Sequence, residues 1–596
     1  MKKLMAYITA CSLLMTGISA FAADETFDGD EQVYDMAGEN ELTVEVPDGD
    51  YTVTVTLGSD TDTQATVYIN GGARIKSASL EAGEDMTQEQ PAVPDNGTIT
   101  VTAESEVSVL KEIKIERIPE REAGEYPAIY IAGDSTAQTY NYDTAYPQTG
   151  WGQVFADYFT DETDVRNISI GGRSTKSFRN DGRLDRILTQ IRPGDYLFIQ
   201  FGINDGAVDK PERYTSIEDY KKLLTDYYIG ETIKRGATPI LLTPTAAAWW
   251  DGENGRFMES RQDYAVPTRE VAEETGVDFI DINQIMYDTY NAPFDSETLG
   301  DAEKEQWKND IRSGYFICEP LESKAYPEGT NDETHLKEKG ARRIAKMIAG
   351  EVKENIDGLG DYVVLERRFD DISDHWAEDF INAYADNLNL KGRNGSSFEP
   401  ESEVTRAELL KMVMDACGIA GHAYREDECL DTAADAWYRF YLQGALDKGI
   451  IPAEMAEGCT GTETQTKTIT EATEESEAVT ADITVYTGGK SFNGDTPITR
   501  GEAAAVVYGC IKAAAGDELE IPAEQQGDFA DEDEIPAEYL DAVKALRALN
   551  ILYGYDDGEF KADKTITRAE AVKLASEASG YCGFAELEAL TAAQQG

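Results

Sequence analysis

The chain predicts three architectures in series: a β-sandwich, an α/β domain of three layers, and a mostly α-helical array of repeats. Three observations predict this. Apolar and polar residues alternate at period two across residues 24–120, the pattern of strands with one buried face. Short apolar runs alternate with longer helical stretches across 125–357, which is how a parallel sheet covered on both faces reads. Thr-Arg-(Ala/Gly)-Glu recurs at 405, 499 and 567, each time opening an apolar helix, and such recurrence marks a repeat array. A length of 596 residues accommodates about four domains of ~150 residues.

The chain begins Met1-Lys2-Lys3, runs apolar from Leu4 to Ala22 and leaves through Ser19-Ala20-Phe21-Ala22-Ala23, the parts of a secretory signal peptide over 1–22. A membrane anchor is the alternative; the Thr and Ser within the run and the abrupt Asp24-Glu25 count against it. Ile8-Thr9-Ala10-Cys11 loosely matches a lipoprotein box, but Cys11 follows the lysines too closely. No other stretch reaches the ~18 consecutive apolar residues of a bilayer span, so the mature protein is expected to be exported without one. The net charge of −61 argues against nucleic acid and anionic membrane as partners. Beyond the leader, Cys318, Cys417, Cys429, Cys459, Cys510 and Cys582 are irregularly spaced without a CxxC, which fits neither a metal site nor a disulfide framework. Several of them are expected as small apolar residues in helices.

In the first region, Glu41–Val46 and Tyr51–Leu57 alternate around the turn Asp48-Gly49-Asp50, and 65–69, 98–101 and 107–110 continue the pattern. Such a sandwich either binds sugar or buttresses its neighbour. It shows no clear aromatic platform, which favours the buttress.

In the second region, strands are expected at 128–132, 165–170, 196–201, 240–242 and 279–282, and helices at 216–235, 266–275 and 336–356. Ligands of open parallel sheets bind beyond the carboxyl ends of the strands. Those exits carry Gly133-Asp134-Ser135, Gly171-Gly172-Arg173-Ser174 and Gly202-Ile203-Asn204-Asp205, while Asp332 and His335 precede the last helix. A separation of three lets both side chains project from one turn at the helix start. Asp332 would then orient the His335 ring while it takes the proton of Ser135. The chain holds three histidines, and His375 and His422 lie in the repeats, so a serine hydrolase here has His335 as its base. Backbone N–H groups of Ser135 and Gly172 and the Asn204 carboxamide would face the developing oxyanion. Each piece has a bland alternative, a turn for Asn204-Asp205 or a helix cap for His335; together, and in this order, they are specific.

These stretches resemble the SGNH (GDSL-type) hydrolases, and within them the rhamnogalacturonan acetylesterases: Ile131-Ala132-Gly133-Asp134-Ser135-Thr136-Ala137, Gly150-Trp151-Gly152-Gln153, Gly172-Arg173-Ser174, Phe201-Gly202-Ile203-Asn204-Asp205-Gly206 and Asp332-Glu333-Thr334-His335. The resemblance implies a flavodoxin-like three-layer fold over 125–357, following a galactose-binding-like sandwich. It implies Ser135, Asp332 and His335 as the catalytic residues and Ser135, Gly172 and Asn204 as the oxyanion hole. No dense His/Cys/Asp/Glu cluster has metal-ligand spacing and no Gly-rich phosphate loop follows a strand, so no cofactor or metal is expected. Close relatives usually have His where Ile203 stands, and the loop 243–257, with Trp249 and Trp250, departs from a basic segment. Those tryptophans either stack on a sugar ring or pack the loop. Arg173 and Arg179 either meet an acidic polymer or are simply solvated.

The repeats, expected at 366–424, 428–514 and 526–580, resemble S-layer homology (SLH) domains, most distinctively at Gly554-Tyr555-Asp556-Asp557-Gly558-Glu559-Phe560. A Thr/Glu-rich segment, 462–482, reads as a solvated loop inside the second. The resemblance implies a helical prong that holds a secreted protein on Gram-positive cell-wall polysaccharide, with Asp371, Trp376, Arg406, Arg500 and Arg568 as contacts. Guanidinium forks suit an anionic wall polymer; the alternative is that each arginine braces its own unit. The expectation is a cell-surface esterase acting on acetylated plant polysaccharide, most of all pectic rhamnogalacturonan. An acetyl-xylan esterase and a non-catalytic wall-bound glycan binder are the competing readings.

Overall fold

A computed structural model describes residues 25–582, apart from 146, 253–254, 296–299, 319–330, 366–368, 389, 391, 393–396, 420, 422–431, 433–435, 453–454, 456–461, 471–478, 487–491, 517–518, 523–528 and 556. The leader, His422, Cys429, Cys459 and the start of the second repeat lie outside the described residues. The chain forms two compact units. One comprises 1–134, 164–244 and 262–280; the other comprises 135–163, 245–261 and 281–596.

In the first unit, alternation at period two becomes two sheets. Strands β1 (Glu25–Thr26), β3 (Glu41–Glu45), β5 (Thr63–Ile69), β6 (Gly72–Leu80) and β8 (Thr98–Glu104) form one, in the order β1-β3-β8-β5-β6. The other holds β2 (Glu31–Asp35), β4 (Asp50–Gly58), β7 (Asp85–Ala92) and β9 (Leu110–Ile118), in the order β2-β9-β4-β7. Their inward residues form one core, with Val53, Val55, Ile113 and Ile115 from one sheet and Val44, Val67, Ile99 and Val101 from the other. The strand expected at 107–110 starts only at Leu110 and runs on to Ile118, because Asn40 turns its side chain onto the preceding loop: its Nδ2 donates to Val107 O and its Oδ1 accepts from Val109 N.

The same unit contains a five-stranded parallel sheet, β10 (Ala128–Gly133), β11 (Asp164–Asn167), β12 (Tyr196–Gln200), β13 (Thr238–Leu242) and β14 (Asp278–Ile280), in the order β11-β10-β12-β13-β14. Every residue of β10 is buried, as an uninterrupted apolar run demands. The helical run after Ser216 is one continuous stretch in three parts, Ile217–Lys222, a π turn at Leu223–Ile229, and Gly230–Lys234; Ser216 caps it through the Asp219 N–H at 3.1 Å. Ion pairs fasten the N-terminal sheets to this layer: Arg74 to Asp185 at 2.7 Å, both almost fully buried, and Asp50 to Arg121 at 2.6 Å and to Arg235 at 3.1 Å. Such desolvated pairs fix a docking geometry.

In the second unit, strand β15 (Phe316–Ile317) pairs with β16 (Asp332–Leu336), and the helix Glu338–Asn355 follows, burying Ile344, Ile348 and Val352 on one face. Further along, helices Arg406–Ala416, Arg500–Ala515 and Arg568–Ser579 each follow one of the Thr-Arg-(Ala/Gly)-Glu openings, late in its repeat. Thr405, Thr499 and Thr567 cap them, each in a reciprocal box with the Glu three residues on. The segments before the caps join in a ring: Val404 N–H donates to Ile566 O, Ile566 N–H to Ile498 O, and Ile498 N–H to Val404 O, at 3.2, 3.2 and 3.0 Å. Cys417 and Cys510 are buried among the apolar residues of these helices.

The Thr/Glu-rich segment expected as a loop instead contains β17 (Thr462–Thr470) antiparallel to β18 (Val479–Tyr486), with Thr462 opposite Tyr486. Thr462, Thr464, Thr466, Thr468 and Thr470 place a β-branched residue at every second position, which suits a strand even without an apolar face.

Candidate active site

Ser135 lies two residues beyond the end of β10 and is 9% exposed. Its Oγ is 2.8 Å from His335 Nε2, and His335 Nδ1 is 2.5 Å from Asp332 Oδ2. The three side chains expected to meet do meet, in one hydrogen-bonded line across 200 residues of sequence.

The local reason differs from the expected one. Asp332 and His335 do not share the first turn of a helix; they lie on β16, and the helix begins at Glu338. Asp332 Oδ1 accepts the N–H groups of Thr334 at 2.9 Å and His335 at 3.0 Å, a side-chain-built turn that brings residues i and i+3 together without helical backbone. Burial acts to raise the Asp332 carboxyl; the His335 ring and those two N–H donors outweigh it and hold the group at about 2. Asp332 is therefore an anion throughout the neutral range.

Ser135 is positioned by groups that sequence reasoning missed. Its carbonyl accepts the Tyr140 hydroxyl at 2.8 Å, and the same hydroxyl accepts from Gln148 Nε2 at 2.8 Å. Thr149 N–H donates to Leu336 O at 2.9 Å, next to His335 in sequence. Trp151, fully buried, donates its N–H to Thr136 O at 2.8 Å. A Cβ on Gly150 would lie 2.3 Å from Gln138 O, so only glycine allows this approach of two backbone segments. The signal was the Gly150-Trp151-Gly152-Gln153 motif, which marks a contact the chain makes with itself.

Gly172 and Asn204 belong to the first unit. Gly172 has φ +72°, the left-handed region, and Asn204 Nδ2 donates to Arg173 O at 3.1 Å. Asp205, fully buried, holds their two loops together: it accepts Thr175 N–H at 3.0 Å, Thr175 Oγ1–H at 2.5 Å and Gly202 N–H at 3.1 Å. Burial pushes its carboxyl up to about 7 against those donors. Arg173 pairs with Asp181 at 2.5 Å, and Arg179 pairs with Asp95 at 3.0 Å and covers the Tyr227 ring at 3.7 Å, so neither is simply a solvated cation.

The two tryptophans part company. Trp250 packs the loop, edge-on to Phe257 at 5.3 Å and against Phe294 at 5.9 Å. Trp249 is 40% exposed. Arg261, which sequence reasoning passed over, reaches Thr334 Oγ1 at 2.8 Å and sits over the Trp249 ring at 5.4 Å.

In the repeats, Arg568 is 4% exposed; it donates to Phe398 O at 2.9 Å and Glu408 Oε1 at 3.0 Å. Arg406 makes the equivalent bonds to Phe492 O, at 3.0 Å, and Glu502; Arg500 donates to Phe560 O at 3.0 Å, with Glu570 at 3.7 Å. Each arginine thus braces a different repeat from its own, closing the ring, and Arg568 in particular turns its fork inward. Asp371 accepts the Phe398 and Glu399 N–H groups at 2.8 and 2.7 Å, holding the turn before the helix. Trp376 stays 54% exposed, and Trp437, at the matching place in the second repeat, 50%. Among the described residues no group of three or more His, Cys, Asp or Glu could hold a metal ion, and no helix is long and apolar enough to cross a membrane.

Comparison with known proteins gives a match of residues 131–343 to the GDSL-like lipase/acylhydrolase family and of 368–410 and 528–572 to the S-layer homology domain. The chain is 37% identical over 245 residues to the probable rhamnogalacturonan acetylesterase YesY of Bacillus subtilis (strain 168), covering 40% of this chain and 98% of the relative. It is 34% identical over 239 residues to rhamnogalacturonan acetylesterase RhgT of the same organism, covering 40% of this chain and 94% of the relative. An uncharacterized esterase, YxiM, also from that organism, is 31% identical over 270 residues, 45% of this chain and 69% of the relative.

Proposed function

Because the chain belongs to the GDSL-like lipase/acylhydrolase family and carries S-layer homology domains, we propose that it is a cell-surface carbohydrate esterase that deacetylates a plant polysaccharide, pectic rhamnogalacturonan above all. The observation that carries the reading is the line Ser135 Oγ, His335, Asp332 with separations of 2.8 and 2.5 Å.

Ser135 Oγ attacks the acetyl carbonyl while His335 Nε2 takes its proton. Asp332, ionised, holds the Nδ1 side of the ring and stabilises the imidazolium. The oxyanion is met by the N–H groups of Ser135 and Gly172 and by the Asn204 carboxamide. Collapse expels the sugar oxygen, which leaves with the proton from His335. Water, deprotonated by the same ring, then attacks the acetyl-Ser135 ester, and acetate departs as the serine regains its proton. His375, the other described histidine, is engaged with Glu401 at 2.9 Å in the repeats. A helical prong of three SLH repeats holds the enzyme on wall polysaccharide. Trp376, Trp437 and Tyr553 are exposed aromatic surfaces on it, while Asp371 and the arginines keep its shape.

Acetate release from acetylated rhamnogalacturonan and acetylated xylan tests the substrate. A higher kcat/KM on rhamnogalacturonan is expected; a higher value on xylan replaces the reading with the xylan one, and no release from any ester leaves the glycan-binding one. A chain ending after residue 357 should stay in the supernatant of purified walls that sediment the full-length protein. Sedimentation of the shortened chain would overturn the anchoring role.

A further inference from the structure

We infer that Trp249 and Arg261 form a subsite beside the triad in which the indole stacks on a sugar ring and the guanidinium meets a uronate carboxylate of the acetylated polymer. The inference rests on the pectic reading above and names what would select that substrate.

Four observations carry it. First, Arg261 Nη2 bonds the hydroxyl of Thr334, whose chain neighbour is the base His335, so the cation is held one residue from the chemistry. Second, its guanidinium lies over the Trp249 ring, while Trp249 as a whole remains 40% exposed. An indole backed by a cation and open to solvent offers an apolar plate and a charge in one place, the two features of a uronic acid ring. Third, Arg261 has φ +62°, a conformation rarely adopted by a residue with a long side chain. Such a geometry persists where surrounding structure over-determines it, and functional sites are where it concentrates.

Fourth, the loop between the two residues is fixed at both ends. Ala248 N–H donates to Glu333 O at 2.7 Å, which pins the Trp249 end to β16. At the Arg261 end, Ser260 Oγ accepts Ala247 N–H at 2.7 Å, and Ser260 O accepts from Asn283 at 3.1 Å. Plate and cation are thus preorganised relative to His335, so little ordering remains to be done when a polymer binds.

The charge balance of the whole chain gives this cation its value. A protein at −61 repels a polyuronate at long range. Salt screens that repulsion beyond about 8–10 Å, whereas a guanidinium in contact with the ligand is screened far less. Local attraction can therefore decide which polymer settles at the triad. A charge-assisted, two-pronged hydrogen bond between guanidinium and carboxylate is specific to the anion.

The test compares acetylated rhamnogalacturonan with the same polymer after chemical reduction of its carboxyl groups to alcohols, using the full-length enzyme and Arg261→Asn, Arg261→Lys and Trp249→Ala. Asn accepts the left-handed backbone, so the first variant removes charge without adding strain. On the native polymer, Arg261→Asn should lower kcat/KM about 10- to 100-fold more than on the reduced polymer, mainly through KM. Arg261→Lys should recover part of the difference, because it restores a cation. Trp249→Ala should weaken both polymers relative to p-nitrophenyl acetate. Equal losses on native and reduced polymer in Arg261→Asn overturn the role given to Arg261 while leaving the pectic reading intact. If the wild-type enzyme itself fails to deacetylate the native polymer yet deacetylates xylan, the pectic reading falls, and this inference with it.

Discussion

The ring of arginines in the repeats predicts an order of damage that sequence similarity among the three units would not. Consider Arg568→Met, which keeps an unbranched stem and removes the guanidinium. The Arg568 side chain is 5% exposed and that of its partner Glu408 23%. Its loss strips donors from Phe398 O and Glu408 Oε1, both between different repeats. Breaking a buried pair from one side costs about 3–5 kcal/mol; the partial exposure of Glu408 and its second bond to Thr405 N–H, at 2.8 Å, place this case near the lower end, about 3 kcal/mol. For Arg500→Met the carboxylate stands farther off, at 3.7 Å, and the bonds lost are to two carbonyls, Phe560 O and Tyr553 O, with a cost of about 1–2 kcal/mol. In calorimetry of the full-length chain, the transition to follow is the one missing from a chain ending after residue 357. At about 2–4 °C per kcal/mol for a region of this size, Arg568→Met should lower it by roughly 6–12 °C and Arg500→Met by roughly 2–8 °C. A shift in Arg568→Met no larger than that in Arg500→Met would refute the assignment of the Arg568–Glu408 pair as a tighter closure of the ring than the Arg500–Glu570 pair.

Two further outcomes follow from the site. Asn204→Ala should lower kcat by about 10²–10³ with little change in KM, as for loss of one oxyanion donor; a change confined to KM would make Asn204 a substrate contact instead. Asp332→Asn should lower kcat by about 10⁴ through loss of ring orientation, and it carries a stability signature. The Asp332 carboxyl is depressed to about 2 from an ordinary 3.8, so its contribution, about 2 kcal/mol, is present above pH about 4 and lost as pH falls through about 2. Urea unfolding should show wild type more stable than Asp332→Asn at pH 7 and the gap closing in that acidic window; a gap that persists at pH about 2 contradicts the cause given for the depressed carboxyl.

The parallel strands were legible because burial on both faces leaves an apolar run such as Ala128–Gly133 with little else to be. Ser135 was legible because it follows such an element, and Asp332 and His335 because they precede the last helix and histidine is scarce. The strand character of Asp332–Leu336 was not, since a carboxylate that accepts two N–H groups imitates the geometry of a helical turn. Thr462–Thr470 misled through composition: threonines at alternate positions favour a strand, but with few large apolar residues they read as solvated. The arginine ring was invisible because its pairs lie 96 and 160 residues apart, beyond any local pattern. Trp249 and Trp250 are adjacent and alike in sequence; only Phe257 and Phe294, which receive one and not the other, separate them.

Ser135 Oγ is the atom predicted to carry the acetyl group during turnover. The direct measurement is peptide mass spectrometry of enzyme quenched in acid during turnover of p-nitrophenyl acetate, beside the kcat of Ser135→Ala. An acetyl-sized mass increment on the peptide containing Ser135, absent in Ser135→Ala, and a kcat reduced by about 10⁴–10⁶ are expected. Acetylation at another residue, or a Ser135→Ala enzyme that turns over as fast as wild type, would contradict it.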